Sequence, residues 1–297
     1  MKIAWDKALS FCALVLTMLC VVVALAQTRD ANKSAAGGTS IMSFEEYAKK
    51  RHRVPYVLNV RAGKGRLLYF GANHTYDPND PEIRQIEKEW KKFKPEIAFF
   101  EGADPETTPA MVMSREEIRG SGEPSLVLFL ASRDSVPVKS LEPAQKDEIA
   151  LLLKKYTPEQ VKVFYTLRQI PEFRRGQHNE TIETYAKGVL AWLSSKPELR
   201  GKPRTVDELQ VISTALLTQL ADWRDVPQEW FDPASTQGLT YLNDVSRQLS
   251  EFRDRHMLTL LTEQVAQGRR VFALVGASHV VMQERAVRAA IKAKRMK

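Results

Sequence analysis

Cysteine is almost missing from this chain of 297 residues. There are two, Cys12 and Cys20, and both lie in the N-terminal apolar segment. Beyond residue 26 no thiol remains. That excludes a disulfide framework, a thiol nucleophile and a cysteine-ligated metal in the remainder. The sequence also lacks a Gly-x-Ser-x-Gly elbow and a His-Glu-x-x-His run, which argues against an ordinary serine hydrolase and the common zincin mechanism. No repeat of solenoid length is present. Histidine is scarce, at five residues. Chemistry is left to those few imidazoles together with carboxylates, arginine, serine and tyrosine.

What is present is a sizeable apolar fraction, 43%, enough for a large core. Lys+Arg number 44 against 36 Asp+Glu, a net charge of +8. The excess is spread along the chain, with one dense cluster from Lys292 to Lys297. No basic-plus-aromatic pattern marks a nucleic-acid binder, so none is expected as a partner.

At the N-terminus, Lys2 and Lys7 precede an apolar run from Ala8 to Ala26, and Ala24-Leu25-Ala26 supplies a small-x-small cleavage pattern. Residues 1–26 therefore read as a secretory signal peptide, which predicts an exported protein, periplasmic or secreted. The run is long, so an uncleaved membrane anchor is the alternative, and membrane contact is expected only in that case. Residues 27–42 read as a flexible leader, and 43–297 as a single α/β domain.

Within that domain, Ser43 to Glu46 spells a capping box. Val57–Val60 and Leu67–Phe70 read as a hairpin across Gly63-Lys64-Gly65. Ile83, Ile86, Trp90 and Phe93 share one face of a helix from about Glu82, stopped by Pro95. Ile97–Phe100 is a wholly apolar strand that delivers Glu101. Asp104 to Gly122 reads as a polar loop, and Leu126–Ala131 as a helix or buried segment. Pro137–Leu141 is a strand that delivers Glu142. Residues 144–235 are mostly helical and read as an insertion, with capping boxes at Thr157 and Thr205. A long helix over about 239–267, closed by Gly268, precedes a strand at Val271–Val275 and a basic helix from about Glu284. The expected fold is a central mixed, largely parallel sheet flanked by helices, with an inserted mainly helical region.

Gly71-Ala72-Asn73-His74 follows one strand and Gly276-Ala277-Ser278-His279 another. With 14 glycines and five histidines, chance supplies well under one such spacing. Ligand sites in open α/β sheets lie beyond the carboxyl ends of parallel strands. His74, Glu101, Glu142 and His279 all occupy strand ends, so one shared site is the expectation. Two imidazoles with one or two carboxylates suit a divalent metal that polarises a carbonyl and a bound water. Without a metal, the same set serves general acid–base catalysis. Arg253, beside Phe252 and Met257 on the long helix, reads either as a holder of substrate charge or as part of a solvated charge run. His52 reads as part of a solvated basic face, and His178 as a loop residue.

Together, Gly71-Ala72-Asn73-His74, Glu101-Gly102, Leu141-Glu142 with Gln145, Arg253-Asp254-x-x-Met257 and Gly276-Ala277-Ser278-His279 resemble the motif series of the TraB/GumN/Tiki family. That family is similar in fold to erythromycin esterases and ChaN-like haem binders. The resemblance spans about residues 55–290. It implies a convergent site with His74, Glu101, Glu142, Arg253 and His279 as catalytic candidates, and His74, Glu101 and His279 as candidate ligands of a divalent metal of unknown identity. Its implied function is an exported hydrolase acting on a peptide or small molecule, with a metal-dependent peptidase as one form. Alternatives of the same fold are a non-catalytic haem or small-ligand binder and a regulatory partner-binding protein. The run Val280-Val281-Met282-Gln283-Glu284 departs from the family, which usually has a glycine soon after the second histidine.

Overall fold

The computed structural model describes residues 40–102, 122–176, 179–236 and 239–295. The signal segment, most of the leader, nearly all of the Asp104–Gly122 loop and His178 lie outside the described residues.

A short capped helix, α1 (Phe44–Tyr47), opens the described chain; Ser43 and Glu46 form the full capping box. Strands β1 (Tyr56–Ala62) and β2 (Gly65–Ala72) form an antiparallel hairpin. Helix α2 (Pro81–Phe93) crosses to β3 (Ile97–Phe100), and α3 (Glu123–Arg133) leads to β4 (Val138–Ser140). The helical region follows as α4 (Gln145–Leu152), α5 (Pro158–Arg175), α6 (Ile182–Ser194) and α7 (Val206–Leu216), then two short 3-10 turns. The long helix α8 (Tyr241–Ala266), strand β5 (Arg270–Gly276) and helix α9 (Ala277–Arg295) complete it.

The five strands are ordered β1-β2-β5-β3-β4, and every pairing except β1–β2 is parallel. This is the expected α/β fold with a mixed, mostly parallel sheet. Alternation along the strands divides their side chains between two cores. Leu68, Phe70, Ala98, Phe100, Phe272 and Leu274 face α2 and α3. Leu67, Tyr69, Phe99, Val271, Ala273 and Val275 face the C-terminal half of α8 and helix α9. Each fully buried large apolar side chain contributes about 1.5–3 kcal/mol, so both faces of the sheet are strongly specified.

A third core belongs to the helical region, and the N-terminal half of α8 joins it through Leu242, Val245 and Leu249. The one helix α8 therefore serves both units. Between Leu249 in the helical core and Met257 on the sheet lie Arg253 and Asp254, so the junction itself carries charge.

Two local expectations need correction. Helix α9 begins at Ala277, directly after β5, and not near Glu284. Val280 and Val281 are buried members of its first turns, so the stretch without a glycine is helical packing. At Thr205 only half the capping box forms. Its hydroxyl accepts from the Glu208 N–H, but the Glu208 carboxylate turns to the Arg204 N–H.

Candidate active site

The parallel register brings the two Gly-x-x-His units side by side. Strands β2 and β5 are neighbours, with Gly71 opposite Val275 and Ala72 opposite Gly276. Their glycines are used reciprocally. A Cβ on Gly71 would meet the Cα of Ala277 at 2.8 Å and the Tyr56 carbonyl oxygen at 2.9 Å, both backbone atoms. A Cβ on Gly276 would lie 2.5 Å from His74 Nε2 and 3.6 Å from Glu101 Oε2. The first glycine thus lets the start of α9 sit on β2. The second leaves room for the His74 ring and the Glu101 carboxylate over the end of β5.

His74 has φ 63°, in the left-handed region, and its side chain is exposed. Two buried carboxylates hold the backbone on either side of it. Glu82 accepts the Asn73 N–H at 2.9 Å and Glu123 accepts the Thr75 N–H at 2.5 Å. Burial pushes the Glu82 carboxyl up, against the lowering effect of that backbone hydrogen bond. The strained turn is thereby fixed from the far side of the sheet end. Neither glutamate stood out in the sequence.

His279 differs. As the third residue of α9 it points into protein. Its Nδ1 lies 2.6 Å from Asp254 Oδ1 and its Nε2 lies 3.5 Å from Glu101 Oε1. Desolvation opposes its charge, but Glu101 and the Asp254 hydrogen bond outweigh that and raise its pKa to about 10. Both nitrogens then carry protons at neutral pH. Asp254 is only 1% exposed and also accepts from Gln283 Nε2 at 2.7 Å. Gln283 stands four residues beyond His279, on the same face of α9. Its amide oxygen accepts from the Tyr69 hydroxyl at 3.3 Å.

Glu101 continues the β3–β5 ladder for one step, its N–H donating to the Leu274 carbonyl. Its carboxylate accepts Arg253 Nη2 at 2.8 Å and the Gly276 N–H at 2.7 Å. Burial acts to raise its pKa, but the His279 charge and hydrogen bond, with Arg253 and Gly276, hold it well below the ordinary carboxylate range. Arg253 also grips Glu142, through Nε at 2.6 Å and Nη2 at 2.5 Å. Such a fork between guanidinium and carboxylate is both strong and directional. Glu142 is in turn positioned by its own N–H, which donates to Ser140 Oγ.

All five candidate residues therefore meet at the carboxyl ends of β2, β5, β3 and β4. Arg253 serves as an internal cation between two glutamates; the solvated pairing with Glu251 belongs instead to Arg255. His52 is half-buried, with Nε2 3.0 Å from the Tyr47 hydroxyl, and is less solvated than expected. The main residue that sequence reasoning missed is Asp254. Its signal was available: it lies three and seven positions before Met257 and Leu261, an acid on an apolar stripe.

Among the described residues no three His, Cys, Asp or Glu side chains are grouped to hold a metal ion. The donor chemistry agrees with that. Glu101 is engaged by Arg253 and the Gly276 N–H, and His279 Nδ1 by Asp254.

No family model matches the chain, and no curated protein or solved structure matches it either. Among the described residues no helix is long and apolar enough to cross a membrane.

Proposed function

We propose that the chain is an exported hydrolase that uses acid–base chemistry at this site. The observation that supports it most is the pairing of an accessible histidine with a buried imidazolium around one carboxylate. His74 is the candidate general base, free at the mouth and able to take a proton from water. His279 is the candidate cation, oriented by Asp254, that stabilises negative charge developing on a substrate carbonyl oxygen. Glu101 sits between them, and Arg253 with Glu142 keeps it ionised and in place. Opposed environments around two identical titratable groups are the usual means of separating a base from an acid. The resemblance to the TraB/GumN/Tiki motif series favours hydrolysis of a peptide or ester, and the signal-peptide pattern favours an exported enzyme.

The test is turnover of a panel of peptides and esters by the full chain, with and without a chelator. The expectation is chelator-resistant hydrolysis that His74→Ala and His279→Ala both remove. Full activity in both variants defeats the shared site. Activity that a chelator abolishes, with stoichiometric metal by elemental analysis, restores the metal-dependent form. A Soret band on haem addition without any turnover supports the binding-protein alternative.

A further inference from the structure

A cavity of about 200 Å³ opens beside this site, where α8 passes from the helical region to the sheet. One face of α8 lines it: Ser246, Leu249, Ser250 and Arg253, at spacings of three and four. His279, Asp254 and Arg168 of α5 also line it. Phe231 and Met282 give the rest an apolar character.

The charges around this space are not equivalent. Arg253 is held by Glu101 and Glu142, and His279 by Asp254 and Glu101. Arg168 makes no hydrogen bond or ion pair with any described residue. Its side chain keeps contact with solvent, yet desolvation, followed by the neighbouring charge of Arg253, lowers its pKa. Arg168 is one of the residues that line the concavity itself. Glu148 is the nearest acidic influence that opposes Arg253 there, and its carboxyl accepts the Tyr165 hydroxyl at 3.3 Å.

A second observation comes from α8 itself. Ser246 is 5% exposed, and its Oγ is buried without a hydrogen-bond partner among the described residues. That oxygen is closed off from the cavity, so the other polar residues of α8 on this wall, Ser250 and Arg253, are the ones a ligand would meet. A guanidinium with no ion pair among the described residues thus lines a small cavity whose walls mix polar groups with the apolar side chains of Leu249, Phe231 and Met282.

We propose that this cavity is the substrate subsite for a carboxylate carried on a short aliphatic body, with Arg168 as its anchor. A guanidinium presents a planar fork that a carboxylate matches with two hydrogen bonds. The apolar walls take the aliphatic part. The hydrolytic reading determines what becomes of the ligand, not whether it binds. The inference therefore rests on that reading only for the word substrate.

The probe is hexanoate, titrated calorimetrically into the full chain, with hexanol and hexylamine as controls. Hexanoate is expected to bind, with both controls at least about tenfold weaker. Arg168→Gln is expected to weaken hexanoate about tenfold or more, and Arg168→Lys less. No hexanoate binding, or equal affinity in wild type and Arg168→Gln, overturns the subsite. A turnover arm compares a carboxylate-bearing ester with its neutral amide-capped analogue. Arg168→Gln should raise KM for the first by about tenfold with kcat little changed, and leave the second alone. Hexanoate binding without hydrolysis of either ester defeats the hydrolase and leaves the subsite standing. Hydrolysis of both esters, unchanged by Arg168→Gln, does the reverse.

Discussion

The two Gly-x-x-His units have the same spelling and nearly opposite physics. After Gly71 the chain leaves the sheet into a loop, and His74 adopts a left-handed conformation at the surface. After Gly276 the chain enters a helix at once, and His279 is carried inward on its first turn. One imidazole is accessible; the other is a buried cation between Asp254 and Glu101. The glycines divide in the same way. Gly71 makes room for backbone, whereas Gly276 makes room for the side chain of the other unit's histidine. A repeated motif thus gives one accessible and one buried histidine because the element that follows each glycine differs.

The strongest way to break this comparison is His74→Ala. It should reduce turnover by about 10²–10⁴-fold, the range of a lost general base, while unfolding free energy stays within about 0.5 kcal/mol. If urea unfolding shows a loss of several kcal/mol instead, His74 is a structural residue like its partner. His279→Ala should show the converse in stability. It leaves Asp254 buried beside Glu101 without a cation, at a cost of about 3–5 kcal/mol, measured by the same unfolding curve. The glycines sharpen the contrast at smaller scale. Gly71→Ala presses on backbone and should cost about 1–3 kcal/mol, whereas Gly276→Ala displaces the His74 ring and should lower turnover more than stability.

A last contrast is one of pH. A histidine raised from 6.5 to about 10 by folding stabilises the protein fully below pH 6.5, and that contribution fades as pH rises to about 10. Glu101, held below its ordinary value of 4.5, acts in the other direction: its contribution is present above 4.5 and fades as pH falls. Stability should therefore decline on both sides of about pH 4.5–6.5. His279→Gln should flatten the alkaline limb. An alkaline limb that persists unchanged in this variant would place the titrating group elsewhere.

Much of the scaffold was legible in the residue pattern. The run Ile97–Phe100 is a strand because four consecutive apolar residues suit a sheet covered on both faces. Thr157-Pro158-Glu159-Gln160 announces the start of α5, since its side chains close the first turn without outside help. The strand ends at His74, Glu101 and Glu142 were visible for the same reason. The start of α9 was not. Ala277-Ser278-His279 carries no capping signal, and its helical state depends on burial of Val280 and Val281 against the sheet.

The site shows the same division. Sequence placed five residues at candidate positions, but it left Arg253 undecided between solvent and substrate. Only the fold gives it two glutamates, one from 111 positions away and one from 152. Glu82 and Glu123 look like ordinary acids until their partners are known, whereas Asp254 shows itself as an acid on the apolar stripe of Met257 and Leu261. Arg168 lay within the helical insertion, whose placement against the sheet no local pattern predicts.

The sequence by itself thus determined the elements, the order of the strands along the chain and the residues that strand ends present. Those follow from periodicity and turn chemistry, which act over a few residues. Tertiary structure decided which histidine is buried between carboxylates, which arginine is neutralised and which has no ion pair among the described residues. Charge state depends on desolvation and on neighbours within a few ångströms, and here the decisive neighbours are far apart in the chain.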